Sequence, residues 1–253
     1  MIGNLLRAEY RKFTSTQVWF WMLLVCVALT SAFTAGQIGG TKYDDELQSN
    51  VRDVLLSATG GFTYIPLFVL GVLSVTTEYR YQTITPTVLA TPSRWTIIFV
   101  KTIATALVGI VYALICLIVE LAIALPWLAT RHVHVDLPSQ VGTLASAFVV
   151  LALFALVGLG AGALIKNQIV AVTVGVIFVA FLDHIVLIIP GVKHIYPYLL
   201  SGATNAITVS PHDDHTINGV TLLSVGGGIA VLVVWGLVMA VLGAGITMNR
   251  DIT

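Results

Sequence analysis

Apolar runs recur along this chain between short polar segments, and their lengths set its organisation. A membrane-crossing helix needs roughly 20 apolar residues, and the runs at 18–35, 54–75, 97–127, 141–165, 169–182 and 222–248 are read as six spans. Trp19 and Trp21 open the first run, where indole rings suit the boundary between water and lipid. The second run carries Gly60, Gly61 and Pro66. The third exceeds what one crossing requires, which predicts a tilt or an interfacial start. Only Lys166, Asn167 and Gln168 part the fourth run from the fifth. The first run follows a basic flank, as a secretory signal does. It is nevertheless longer than the usual h-region of about 7–15 residues, so a retained anchor helix is expected.

The polar segments carry patterns of their own. Residues 2–14 place Ile2, Leu5, Leu6, Tyr10 and Phe13 on one helical arc with Arg7 and Arg11 opposite. This predicts an amphipathic helix lying on the membrane surface. Glu9 falls inside the apolar arc, which simple lipid binding does not explain. Residues 78–95 contain Pro86 and Pro92 and are too polar to cross. Residues 183–221 hold two apolar stretches around Pro190, too apolar for a free loop and too short to span, and a re-entrant outer hairpin is expected. The expected fold class is all-α integral membrane, one transmembrane domain over 1–253.

Composition agrees with this pattern. Hydrophobic residues make up 57% and charged residues 9% of the chain, and the mean hydropathy is +0.96. Soluble domains are about 25% charged, so the chain lacks the charge to cover a globular surface. The formal net charge is zero, which points to no nucleic-acid partner. The basic residues are distributed unevenly. With the N-terminus inside, Arg7, Arg11, Lys12, Arg80, Arg94, Lys101, Lys166 and Arg250 lie inside, against Lys42, Arg52, Arg131 and Lys193 outside. That bias favours both termini in the cytoplasm.

Candidate chemistry is sparse. The sequence has no GxxxxGK[ST], HExxH, CxxC or GxSxG pattern, so no P-loop nucleotide site, metal-hydrolase site or serine nucleophile is signalled and no enzyme is expected. Two ionisable residues are read as lying inside lipid, Glu120 and Asp183, and such groups are functional candidates by default. Either acid could bind a proton or cation, and either could simply bond to a neighbouring helix or reach a water cavity. The inner halves of the spans are read as free of ionisable groups. His212 and His215 flank Asp213 and Asp214, a run that could hold a metal but that short polar loops often produce, and no metal is expected. Cys26 and Cys116 both fall in apolar runs and read as small hydrophobes. Gly158, Gly160 and Gly162, and again Gly226, Gly227, Gly228, Gly236, Gly243 and Gly245, suit close helix packing.

The loop sequence TTEYRYQTITPTVLATPSRW resembles the EYR-x-x-T-I-x-x-T-x-L-A-x-P-x-R stretch of bacterial type-2 permeases of ATP-binding-cassette (ABC) exporters, in particular their actinobacterial drug-export-like group. The matching residues are Glu78, Tyr79, Arg80, Thr83, Ile84, Thr87, Leu89, Ala90, Pro92 and Arg94. The opening RAEYRKFTST is similar to the inner helix of that family, with Glu9, Tyr10 and Lys12. Two departures are Tyr81-Gln82 in place of a His-Gly-like pair and Ser93-Arg94 in place of a double basic pair. The resemblance implies a permease subunit in the bacterial cytoplasmic membrane that pairs with a second permease copy or homologue. It also implies an ABC ATPase subunit that carries ATP and Mg, none being bound by this chain. Residues 78–95 would couple the ATPase to the spans, and Glu9, Tyr10 and Lys12 would contact that segment. A basic group of the segment or of the ATPase is the expected partner of Glu9. Outward movement of a hydrophobic drug, lipid or envelope-related substrate by alternating access is the implied function. The alternatives are a proton-coupled secondary transporter using Glu120 and Asp183, and a non-transporting immunity or sensor protein of the membrane.

Overall fold

The computed structural model describes residues 2–60, 62–82, 94–182, 185–187, 189, 192–209 and 216–248, and within them the chain is mostly helical. Helix α1 (Ile2–Ser15) precedes α2 (Val18–Gly40). Two short helices follow, α3 (Asp44–Ser49) and α4 (Val51–Leu55), and then α5 (Tyr64–Arg80). The long α6 (Arg94–Thr130) and α7 (Leu137–Leu164) come next. Helix α8 (Gln168–Ile177) continues into one π-helical turn, Phe178–Leu182. A 3₁₀ turn (Lys193–Tyr198), α9 (Leu200–Thr208), the strands β1 (Thr216–Ile217) and β2 (Val220–Thr221), and α10 (Val225–Met248) complete the order. β1 and β2 pair antiparallel through Asn218-Gly219, both at positive φ, as a two-residue type I′ hairpin requires.

Among the described residues, four helices are long and apolar enough to cross a membrane: Val18–Gly40, Thr96–Thr130, Leu137–Leu164 and Val225–Gly243. They mark the protein as membrane-embedded and helical. The apolar stretch Gln168–Phe181 is shorter. Helix α5 has 17 residues and ends in Glu78-Tyr79-Arg80.

The second run is therefore not a continuous helix over 54–75. It stops at Leu55, passes through turns, and resumes at Tyr64. Gly60 sits in the break, and Phe62 adopts a φ of 68°, a strained value for a bulky residue. Pro66 falls in the first turn of α5, where a missing N–H costs nothing. Because α5 extends to Arg80, Glu78, Tyr79 and Arg80 belong to its last turn and not to a loop.

Helix α7 is the centre of the bundle. Of its most apolar window 61% is buried, against 17% for α2 and 22% for α10. Lipid-facing helices can be this exposed because hydrocarbon is as apolar as their side chains. Glycines let α5, α7 and α10 approach at backbone distance. A Cβ on Gly158 would collide with Phe68 O, one on Gly71 with Ala155 O, and one on Gly243 with Ala163. At the far end of α6, Arg131 holds α2 in place. It donates to Ile38 O at 3.0 Å, in the last turn of α2, and to Thr41 O at 2.7 Å and Lys42 O at 2.9 Å just beyond it, where a helix end leaves carbonyls unsatisfied.

Candidate functional site

Helix α6 turns one polar stripe inward. Lys101, Thr105, Tyr112, Cys116 and Glu120 are all buried, at spacings that keep them on one helical face. Leu107, Leu114 and Ile118 are exposed on the other side. Each end of the stripe makes a site.

At the end near α1, Lys101 Nζ lies 3.0 Å from Glu9 Oε2 and 3.0 Å from Glu78 Oε1, and donates to Ser74 O at 3.0 Å. Those three bonds use all the donors an ammonium has. Lys12 Nζ closes the arrangement, 2.9 Å from Glu9 Oε1 and 2.6 Å from Glu78 Oε1. Thr105 adds a bond to Ser74 Oγ at 3.2 Å. Two acids and two lysines thus form a neutral quartet joining α1, α5 and α6. Burial alone would raise the Glu9 carboxyl, but Lys101 and then Lys12 outweigh it and hold Glu9 below the usual carboxylate range. Burial likewise opposes the charge on Lys12, and its bonds to Glu78 and Glu9 hold that ammonium above the usual lysine value.

This geometry changes several expectations. Glu9 does occupy the buried face of α1, but its partners are Lys12 and Lys101, and Lys101 lies within α6, beyond the 78–95 segment. From sequence, Lys101 counts among the inner basic residues of the charge bias, outside the lipid-buried groups. It is buried, as is Glu78, so that end of the spans is not free of ionisable groups. The signal that could have found Lys101 was a lone lysine within an apolar run. Tyr10 is 67% exposed and does not share the face that buries Glu9. Phe13 does, packing edge-on against Tyr112 with centroids 6.5 Å apart. Arg80 is exposed and donates to Gln168 Oε1 at 3.3 Å, and Tyr79 receives Lys166 over its ring at 5.9 Å. Thr83, Ile84, Thr87, Leu89, Ala90 and Pro92 lie outside the described residues. Arg94 opens α6, and nothing further is described of its side chain. Asp183 and the run His212–His215 also lie outside the described residues.

At the other end of the stripe, Glu120 is wholly buried. Its Oε1 accepts the Ala58 N–H at 2.9 Å, from the break between α4 and α5. Its Oε2 has no hydrogen-bond partner, and neither do Thr30, Thr34 and Thr63 Oγ1. Among the described residues no lysine, arginine or histidine pairs with Glu120, and no three His, Cys, Asp or Glu side chains group as metal ligands.

A cavity of about 560 Å³ opens beside α7 and α10. Arg52, Ser139, Gln140, Thr143 and Ser146 give it a polar side, and Ile207, Val225 and Ile229 an apolar wall. Arg52 is itself tied to the α9 end by donating to Thr208 O.

The fold and its buried charges define a helical membrane protein. No protein-family model matches the chain, and no curated protein matches it.

Proposed function

We propose that this chain is the membrane-spanning permease subunit of an ATP-driven ABC exporter, with ATP and Mg on a separate ATPase subunit. The observation that carries the reading is the quartet of Glu9, Lys12, Glu78 and Lys101. It fastens α1 to both helices that flank the segment bearing the resemblance. A push on that segment would then move α1, α5 and α6 together, because breaking a buried ion pair costs about 3–5 kcal/mol. Pro86 and Pro92 restrict the segment's backbone, which favours transmission over bending.

The finer topology belongs to the same proposal. The broken α4–α5 pair is the second crossing and α8 with its π turn the fifth, giving six spans, an N-terminal interfacial helix and a re-entrant hairpin over 183–221. Both termini are cytoplasmic, in the bacterial cytoplasmic membrane. A second permease copy or homologue completes the pathway, and substrate moves outward by alternating access. The cavity beside Arg52 joins one cation and a row of hydroxyls and amides to an apolar wall. That lining supports an amphipathic cargo: a hydrophobic drug, a lipid or an envelope-related molecule.

Co-purification with a candidate ABC ATPase tests the reading. Glu78 is unsuitable for charge reversal because it is locked inside the quartet, so Arg80→Glu is the variant of choice. Retention of the ATPase by the wild type and its loss from a stably folded Arg80→Glu variant is the expected result. Failure of the wild type to retain an ATPase in any nucleotide state overturns the proposal. Glu120, wholly buried and without a basic partner among the described residues, favours one second reading, a proton-coupled secondary transporter, which predicts transport without ATP that collapses in Glu120→Gln.

A further inference from the structure

We infer that the cavity beside Arg52 binds an acidic amphiphile whose headgroup carries alcohol groups, a lipid of the glycerol-phosphate type, with Arg52 holding the acid. This deepens the cargo part of the proposed function and rests on that reading for the ligand's role, while binding itself needs no ATPase.

The cavity follows from the way α7 and α10 pair. A Cβ on Gly236 would meet Leu156 and Val157, and one on Gly243 would meet Ala163 and Leu164, so the two helices run parallel. At that register Val225, where α10 begins, stands level with Ser146, and Ile229 lies one turn deeper beside Val149. Residues 137–145 of α7 therefore rise past the start of α10, over about two and a half turns. Gly142 shows the result. A Cβ there would have nothing within 4 Å, whereas one on Gly158 would strike the Phe68 backbone. The space left is the cavity of about 560 Å³, and sites for small molecules span about 300–1,000 Å³.

Its lining sets the charge of the ligand. Among the described residues Arg52 is the only charged one on the wall. It is half-buried, its bond to Thr208 O fixes the guanidinium, and no described acid pairs with it. A guanidinium has five N–H donors in a planar fork that matches phosphate or carboxylate oxygens. An anion on that fork supplies the counter-charge that the described chain does not.

The hydroxyls add a second requirement. Ser139 Oγ donates to Asp136 O at 2.8 Å, Thr143 Oγ1 to Gln140 Oε1 at 3.1 Å and Ser146 Oγ to Thr143 O at 2.7 Å. Each has spent its one proton, so each meets a ligand only as an acceptor. A bare acid offers these oxygens no donor, and a headgroup with alcohol groups does. Ile207, Val225 and Ile229 then give a hydrocarbon chain an apolar wall, which a free ion would leave unfilled.

The test is calorimetric titration of the purified full chain in nanodiscs of zwitterionic lipid, with no ATPase present. The probe is decanoyl lysophosphatidylglycerol. Three comparison compounds each lack one feature: decanoyl lysophosphatidylcholine the net charge, decyl phosphate the alcohol groups, and glycerophosphoglycerol the chain. Saturable binding of about one probe per chain is expected, about tenfold or more tighter than any comparison compound and weakened about tenfold or more in Arg52→Gln. A comparison compound that binds as well as the probe overturns the inference, as does an Arg52→Gln variant with unchanged affinity. Should Arg52→Gln fail to fold, Ala145→Leu, which fills the cavity from its lining, decides: lost binding supports the site and unchanged binding overturns it. Probe binding by a chain that retains no ATPase would sink the exporter reading alone. An ATPase retained without probe binding would sink this inference alone.

Discussion

Acids are buried at both ends of α6, yet only one end supplies their counter-charge. Lys101 and Glu120 lie on the same face of one helix, about 28 Å apart at 1.5 Å per residue. At the Lys101 end, Glu9 and Glu78 are matched by two lysines within 3.0 Å, so the cluster is complete without any ligand. At the Glu120 end a wholly buried acid accepts the Ala58 N–H at 2.9 Å and has no basic partner among the described residues. Burial by itself therefore does not decide how an acid is accommodated; whether the chain supplies the counter-charge does.

The largest effect should come from breaking the complete cluster. Lys101→Met leaves Glu9 and Glu78 sharing a single lysine and should cost about 3–5 kcal/mol of stability. Chemical denaturation of the purified protein measures it. The double variant Glu78→Gln/Lys101→Met restores neutrality with Glu9 and Lys12 still paired, and should recover a large part of the loss. Additive losses would show that the four groups do not act as a unit.

Changing pH should have a smaller effect at the Lys101 end. The pKa of Glu9 is depressed in the folded chain. Its contribution is therefore present above the unfolded value near 4.5 and lost as pH falls through the lower folded value. The pKa of Lys12 is raised, so its contribution is present below about 10.5 and fades as pH rises through the higher folded value. Glu9→Gln should flatten the acid limb of Tm against pH and only weaken the alkaline limb, because Glu78 still holds the Lys12 ammonium. An unchanged acid limb would mean that Glu9 does not hold α1 in place.

The smallest effect sharpens the comparison most. Glu120→Gln should change stability by no more than about 1 kcal/mol. The amide keeps an oxygen for the Ala58 N–H, and the uncompensated charge is gone. Glu78→Gln under the same conditions should destabilise clearly, because it strips a partner from both lysines. Equal losses in the two variants would erase the distinction between the ends.

Much of the fold was legible in the residues. Apolar run length located α2, α6, α7 and α10, and the 2–14 periodicity located α1. Glu9 in an apolar arc signalled a basic partner, but its partners are Lys12 and Lys101 and neither lies in the 78–95 segment. The rest was hidden for identifiable reasons. Gly60-Gly61 marked a weak point in the second run, but hydropathy alone could not tell a flexible helix from a broken one. Lys101 sits near the start of a long apolar run, and positive-inside logic treats such a lysine as an anchor to water. Only the position of Ser74, Glu78 and Glu9 around it makes it interior. Tyr10 fell on the apolar arc by angle, while the contact with α6 is centred on Glu9 and Phe13.

Hydrophobic length and amphipathic spacing are local quantities, summed along a few turns, so the chain alone determined that it is helical and which runs suit lipid. The partners of its charges are a different matter. Glu78 meets Lys12 across 66 positions, Lys101 meets Glu9 across 92, and Ala58 meets Glu120 across 62. Whether a buried acid is cancelled by a basic partner depends on which helices touch and in what register. Coulomb interactions act through space over a few ångströms, and only the tertiary structure set those distances.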